Sequence, residues 1–382
     1  MRKTFKYRIY PTKKQEKILN SQLESCRMLY NQFLSEKKEL WENDNKSISL
    51  YEQINKLPRI KKKYPNLKDV YSNVLQNIVV RVDLAYKAFF RRLKAGEKPG
   101  YPRFKSYGMY DSMTFPQYGN GIKIKDGRLV IPKVGHIKTI FHREMQGITK
   151  TAIIKRSSTG KWYVSFSCEI EKPEPLPESD LNIGIDVGLE TFAYMSDDTK
   201  IENPRFFRKE EKQLAKANRK LSKFPKPEKF EPSIPERKKA KKVLSRVHER
   251  IKFKRDNFAH QEAKKIINNY QIICLEDLEV NRMVHNHCLA KSISDASWSM
   301  FFNQLFCKAE WAGRTIVKVN PAYTSQDCSS CGHRKKKALS EREHNCECCG
   351  LNINRDLNAS INILRIGLDS LGVIPGSPDY NL

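Results

Sequence analysis

The chain has 382 residues, with 71 Lys and Arg against 43 Asp and Glu, and a formal net charge of +28. That imbalance points to a polyanionic partner, nucleic acid first, because summed positive charge attracts and holds a phosphate backbone. A hydrophobic fraction of 39% and an aromatic fraction of 10% allow a substantial core and two or three modules, which excludes a disordered chain. No stretch approaches the roughly 20 apolar residues of a spanning helix, and MRKTFKYRIYP lacks the apolar segment of a signal peptide, so a reducing, intracellular setting without a membrane is expected.

Phe5, Tyr7 and Ile9 alternate with Lys6, Arg8 and Tyr10, the period of a half-buried strand that Pro11 ends. Thr12 stands three residues before Gln15, a capping-box spelling, and Leu19, Leu23, Cys26, Tyr30 and Phe33 follow at helical steps. After a polar interval (WENDNKSIS) and the basic run Arg59 to Lys63, helical spacing resumes through Leu75, Val79, Val82, Tyr86 and Phe90. Pro99, Gly100 and Pro102 close it.

From about 112 to 170 the texture becomes short β runs, with turns at Asp126-Gly127 and Thr159-Gly160. This predicts a small antiparallel barrel or sheet that the N-terminal strand can complete. EKPEPLPESD, rich in proline and acid, reads as a linker, assigned to 173–180. Beyond it the pattern is α/β: strands NIGIDVG and TFAYMSD, a basic helical stretch, a proline-broken segment, and a long helix over 236–270 carrying Leu244, Val247, Ile251, Phe258 and Ile266. The strand IICLED, a helix from Trp298 to Trp311, the strand TIVKVN, a cysteine window and a helix from about Arg355 complete the pattern, and a loose tail is expected over 371–382.

Asp186 and Glu276 stand at the ends of apolar strands, and Asp356 opens the last helix. Three carboxylates converging from separate segments repel one another unless cations neutralise them. Two Mg²⁺ or Mn²⁺ ions, which favour hard oxygen ligands, could do so and clamp a scissile phosphate. Each acid alone has an ordinary alternative: Asp186 beside Gly184 and Gly188 can shape a turn, Glu276 with Asp277 can cap the next segment, and Asp356 suits any helix N-terminus.

Of ten cysteines, Cys328, Cys331, Cys346, Cys348 and Cys349 share one short window. Cys328-x-x-Cys331 and Cys346-x-x-Cys349 form two knuckles, each followed by glycine, a spacing that describes a structural Zn²⁺ site with no open position. Cys348 is surplus, and His333 and His344 are possible substitute ligands. Chance thiols or an iron–sulfur cluster are the competing readings, the latter disfavoured by the lysine-rich loop HRKKKALSEREH.

The ordered set GIDVG, LEDL, TSQDCSSCGHR, CECCG and NRDLNASINI, with FKYRIYPTKKQEKIL and FFRRLKAGEKPGYPRFKS in the first half, resembles the TnpB family across almost the whole chain. These are RNA-guided RuvC-like nucleases encoded by bacterial and archaeal insertion sequences, akin to type V CRISPR effectors. The resemblance implies a multidomain α+β fold. A wedge-type β-barrel (1–11 and 110–172) is interrupted by a helical recognition module (12–109). An RNase H-like (RuvC) α/β nuclease domain (181–320 and 351–370) is interrupted by a zinc-binding insertion (321–350).

It further implies that Asp186, Glu276 and Asp356 bind the catalytic Mg²⁺ or Mn²⁺ ions, and that Cys328, Cys331, Cys346 and Cys349 bind one Zn²⁺. A monomer in the bacterial or archaeal cytoplasm, associated with the nucleoid, would bind an omega RNA guide copied from the transposon end. It would recognise a short target-adjacent motif and cut complementary double-stranded DNA at a single RuvC site. Asn354 departs from the aspartate common in relatives, two residues before Asp356.

Specificity in such a system resides in base pairing, so the protein mainly needs a positive channel and a few base readers. Residues 236–255 carry ten Lys or Arg against two Glu, and Lys238, Lys241, Lys242 and Arg246 are channel candidates, with Arg355 beside the last carboxylate. A merely solvated helix face is the competing reading. Ser72, Gln76 and Gln117 are candidate motif readers. A transposase with an RNase H-like core, an RNA-guided DNA-binding repressor and a plain zinc-ribbon RNA binder are the alternative functions.

Overall fold

The computed structural model describes residues 1–228, 231–338 and 341–372. Its contacts divide the chain into two units, Met1–Glu171 with Ala217–Arg246, and Lys172–Lys216 with the chain from Val247 onward.

In the first unit, β1 (Arg2–Tyr10) buries Phe5, Tyr7 and Ile9, alternating with the less buried Thr4, Lys6, Arg8 and Tyr10, as a period-2 strand must. α1 (Lys13–Asp44) opens on a complete capping box: Gln15 N donates to Thr12 Oγ1, and the Thr12 N–H donates to Gln15 Oε1. Of the polar interval 41–49, the first four residues end α1 and 45–49 are not helical; α2 (Leu50–Asn55) and α3 (Leu57–Lys63), which carries the basic run, follow it. α2 has its own capping box, Ser49 with Glu52, and buried Gln53 donates to Phe33 O, so polar residues there cap and dock helices. α4 (Ser72–Lys94) buries Val74, Leu75, Ile78, Val79 and Val82, while Phe90 stays 51% exposed.

β2 (Ser112–Phe115), β3 (Lys123–Lys125), β4 (Arg128–Ile131), β5 (Gly135–Ile140), β6 (Ile148–Arg156) and β7 (Trp162–Glu169) follow. With β1 they form one antiparallel sheet in the order β2-β6-β7-β1-β5-β4-β3. The N-terminal strand thus lies at its centre, with Phe5 opposite Phe166. Asp126 and Gly127 both take positive φ (49° and 66°), the turn that the β3–β4 hairpin twist requires. The hydrogen-bond ladder ends at β2 and β3, so among the described residues the expected barrel is a sheet curled over one core, shared with α1 and α4.

In the second unit, β8 (Asn182–Val187), β9 (Thr191–Met195) and β10 (Lys200–Glu202) form an antiparallel meander. α5 (Phe206–Ser222) and α6 (Pro235–Asn269) follow, both running partly through the 217–246 segment grouped with the first unit. That segment departs from the continuous 181–320 span expected from sequence. Pro227, Ser233, Lys238 and Lys241 line a cavity with Asn20, Tyr107 and Arg156, contacts that periodicity cannot reveal.

β11 (Ile272–Glu276), α7 (Val280–Met283), α8 (Ala290–Ala296), α9 (Trp298–Ala312) and β12 (Thr315–Val319) come next. β13 (Glu343–Asn345), β14 (Asn352–Asn354) and α10 (Arg355–Ser370) end the described elements. The sheet order is β10-β9-β8-β11-β12, with β11 parallel to both β8 and β12. One face packs Ile183, Ile185, Ile273 and Leu275 against α6 and α9; the other presents Gly184 and Cys274 to α10. The proline-rich stretch read as a linker is tied down, with Leu176 N donating to Ala312 O and Ser179 Oγ to Asn269 O. Of the expected tail, Leu371 and Gly372 form a turn and 373–382 lie outside the described residues. Among the described residues, no helix is long and apolar enough to cross a membrane.

Candidate metal centres and nucleic-acid surface

Ile185 and Leu275 are register partners on adjacent parallel strands, so Asp186 and Glu276, one residue further on, emerge side by side at the strands' C-terminal edge. Asp277 turns to solvent and pairs with Lys318 at 2.8 Å, which leaves Glu276 as the inward acid. Asp356 lies in the first turn of α10, where the helix dipole favours negative charge. α10 can lie on β8 because position 184 has no side chain: a Cβ there would come within 2.0 Å of Ser360 O. Asn354 caps the helix, its Oδ1 accepting from the backbone N–H of Asp356 (2.9 Å) and Leu357 (3.3 Å). The departure from aspartate therefore keeps a capping side chain.

Burial pushes the Asp186 carboxyl well above the carboxylate range, and the charges of Glu276 and Asp356 push the same way, partly offset by Arg355. Burial also raises Glu276, against a hydrogen bond that Thr324 Oγ1 donates to its Oε1 at 2.6 Å. Asp186, which feels the charges of both Glu276 and Asp356, shares with them a set of oxygen donors of the kind hard divalent cations take.

The four knuckle sulfurs are gathered more tightly. Among the described residues, Cys328, Cys331, Cys346 and Cys349 are the group whose ligand atoms all lie within 4.8 Å of one another. The two knuckles repeat one pattern. Gly332 N donates to Cys328 O and Gly350 N to Cys346 O; Cys328 N donates to His333 O and Cys346 N to Leu351 O. Both glycines take positive φ near 75°, the left-handed turn such a loop needs. Backbone N–H groups of Cys349 and Cys348 push the Cys346 thiol down to about 6. The His333 N–H lowers Cys331, but burial and the three neighbouring sulfurs prevail and push it up to about 12. Such crowding suits four thiolates only around a cation. Cys348 is exposed and outside the group. Neither histidine joins it: His333 contributes its backbone carbonyl, and His344 Nδ1 contacts Lys337 Nζ while its buried Nε2 has no partner.

Sequence reading missed the residues that join the two centres. Asn358 and Asn362 are almost fully buried on α10. Asn358 Nδ2 donates to Asp327 O (2.8 Å), and Asn362 Nδ2 to Asp327 O (2.7 Å) and Thr324 O (2.9 Å). The four-residue spacing of asparagines 354, 358 and 362, one face of the cap and helix, was the available signal.

In the first unit, Gln117 Oε1 accepts from Asn73 Nδ2 at 3.5 Å, bringing it to the start of α4 beside Ser72 and Gln76. Gln76 and Gln117 are exposed, Ser72 accepts from Lys61 Nζ at 2.8 Å, and Tyr71 OH donates to Asn120 Oδ1 at 2.8 Å. Tyr71, Asn73 and Asn120 therefore extend the cluster. Lys238, Lys241, Lys242 and Arg246 are all exposed on α6. Lys238 and Lys241 line a cavity that also holds Glu24, Glu228 and Glu231, so that face is of mixed charge. Arg355 instead grips its own loop, donating to Ala338 O and Glu341 O.

Family models match three parts of the chain: residues 1–46 fit a helix-turn-helix domain and 165–287 a probable transposase, both of the OrfB/IS605 type, and 298–363 fit a Cas12f1-like TNB domain. An Escherichia coli K12 protein, provisionally named RNA-guided DNA endonuclease InsQ, is 32% identical over 95% of this chain and 92% of its own length. A Streptomyces pristinaespiralis protein with a like provisional name is 31% identical over 96% of this chain and 90% of its own. A Cas12f1–sgRNA–target DNA complex, solved by cryo-EM, shares the fold at a TM-score of 0.59 and 16% identity, covering 95% of this chain and 98% of that one. Relatives above 30% identity over nearly the full length, with the OrfB/IS605 matches, place the chain in the TnpB family.

Proposed function

We propose that this chain is an RNA-guided DNA endonuclease of the insertion-sequence type, with Asp186, Glu276 and Asp356 as its metal-binding catalytic residues. The observation that carries the reading is the placement of these acids, two at neighbouring strand ends and one on the helix packed against Gly184. The names of its relatives and the charge of +28 agree with nucleic-acid substrates.

Two Mg²⁺ or Mn²⁺ ions held there would supply an activated water and hold the leaving oxygen of a phosphodiester. The protein's own part is to set the ligands. β8 and β11 fix the spacing of Asp186 and Glu276, Thr324 fixes one Glu276 oxygen, and the Asn354 cap fixes the turn that carries Asp356. Zn²⁺ in the four-cysteine site would close the 321–350 insertion, for which four convergent sulfurs are the expected donor set. The meander extended by two parallel strands supports an RNase H-like domain interrupted by that insertion. The curled sheet with its helices supports a wedge and recognition half.

In this reading an omega RNA from the transposon end guides a single protein chain in the cytoplasm. Base pairing selects the target, the amide cluster around Ser72, Gln76 and Gln117 reads the adjacent motif, and exposed α6 lysines line the channel. The test is cleavage of guide-matched DNA by protein expressed beside its native flanking sequence, with sequencing of the RNA that co-purifies. Asp186→Ala should keep the RNA and lose Mg²⁺-dependent cutting. Persistent cutting would refute the site, and joined DNA ends without a discrete RNA would favour the transposase.

A further inference from the structure

We propose that Thr324 is a positioning residue for Glu276, and that Asn358 and Asn362 couple it to the cysteine knuckle so that metal in the knuckle sets divalent-cation affinity at the carboxylates. The inference rests on the carboxylate site proposed above.

Thr324 is 3% exposed, and its hydroxyl reaches Glu276 Oε1 at 2.6 Å. A carboxylate with one oxygen so held has a fixed rotamer and offers its other oxygen to a cation, the service that partners behind metal ligands commonly perform. Thr324 is in turn held by its own backbone: its carbonyl accepts from Asn362 Nδ2. The same amide group and that of Asn358 converge on Asp327 O, and Asn358 Oδ1 accepts from Ser329 N at 2.9 Å. Residues 324–329 are therefore clamped at three points to α10, the helix that carries Asp356 in its first turn. Inside that strip lies Cys328, the first ligand of the knuckle. Metal closing the knuckle fixes Cys328 against Cys346 and Cys349, hence the strip, hence the Thr324 hydroxyl. The two centres share one short backbone segment.

The experiment measures Mn²⁺ binding to the purified protein by electron paramagnetic resonance of the free ion, with zinc content and melting temperature followed alongside. Thr324→Val keeps the side-chain shape and removes the donor; it should weaken Mn²⁺ binding ~10–100-fold with zinc content unchanged. Thr324→Ser should restore binding, which a merely structural role for the side chain would not require. Chelating zinc from the wild type should weaken Mn²⁺ binding to a similar extent. Asp186→Ala, which should remove binding at the site, separates the two claims. If it leaves Mn²⁺ binding intact, the carboxylate site itself fails. If it removes binding while Thr324→Val and zinc depletion change nothing, the coupling is overturned.

Discussion

Replacing Gly184 with Ala tests the contact on which the proposed catalytic geometry depends. The added Cβ would lie 2.0 Å from Ser360 O, 2.7 Å from Leu364 N and 2.9 Å from Leu364 Cβ. All three belong to α10 backbone or to the root of a side chain, so no flexible tip can swing aside. Ordinary contact begins near 3.4 Å, so the helix must retreat from β8 by more than about 1 Å. Overpacking of this kind costs ~1–3 kcal/mol or more. At ~2–4 °C per kcal/mol for a domain of this size, the melting temperature should fall by ~4–8 °C for a cost near 2 kcal/mol. The larger effect should be on chemistry. Asp356 rides on α10 while Asp186 stays on the strand, and a displacement of about 1 Å between reacting groups costs ~100-fold in rate. Cleavage should therefore drop by about that factor while guide-RNA binding holds. A variant that melts and cuts like the wild type would show that α10 is not set by this glycine.

Two further predictions concern the same acids. The raised Asp186 and Glu276 carboxyls bind protons more tightly folded than unfolded, so their contribution to stability is full below the ordinary carboxylate range and is lost as pH rises through their raised values. Metal-free protein should lose stability upward from about pH 4, Asp186→Asn should flatten that slope, and Mg²⁺ should oppose the loss. Equal slopes for the two proteins in thermal melts across pH would contradict the crowding of the acids. Asn354→Ala should cost ~1 kcal/mol in denaturant titrations by uncapping α10 and should slow cleavage, while Asn354→Asp should keep both. Loss of stability in the aspartate variant would refute the capping role.

Local chemistry was legible along the chain because it is written within a few residues. Thr12 with Gln15 spells a cap, Asp126-Gly127 a hairpin turn, and each Cys-x-x-Cys-Gly a knuckle, and all of these interactions close over short spans. The acids at strand ends and at a helix start were visible for the same reason. Their neighbours were not. Periodicity tells which face of an element is apolar, but not which distant element covers it. Only the tertiary structure set β1 between β5 and β7, grouped 217–246 with the first unit and tethered the proline-rich stretch as far as Ser179. The polar residues around the site show this most directly. Nothing in the sequence around Thr324, Asn358 and Asn362 names their partners, and they matter only because α10 lies close enough to β8 and the knuckle strip for single hydrogen bonds to span them. Burial then makes each bond costly to lose, since no water can replace the missing partner.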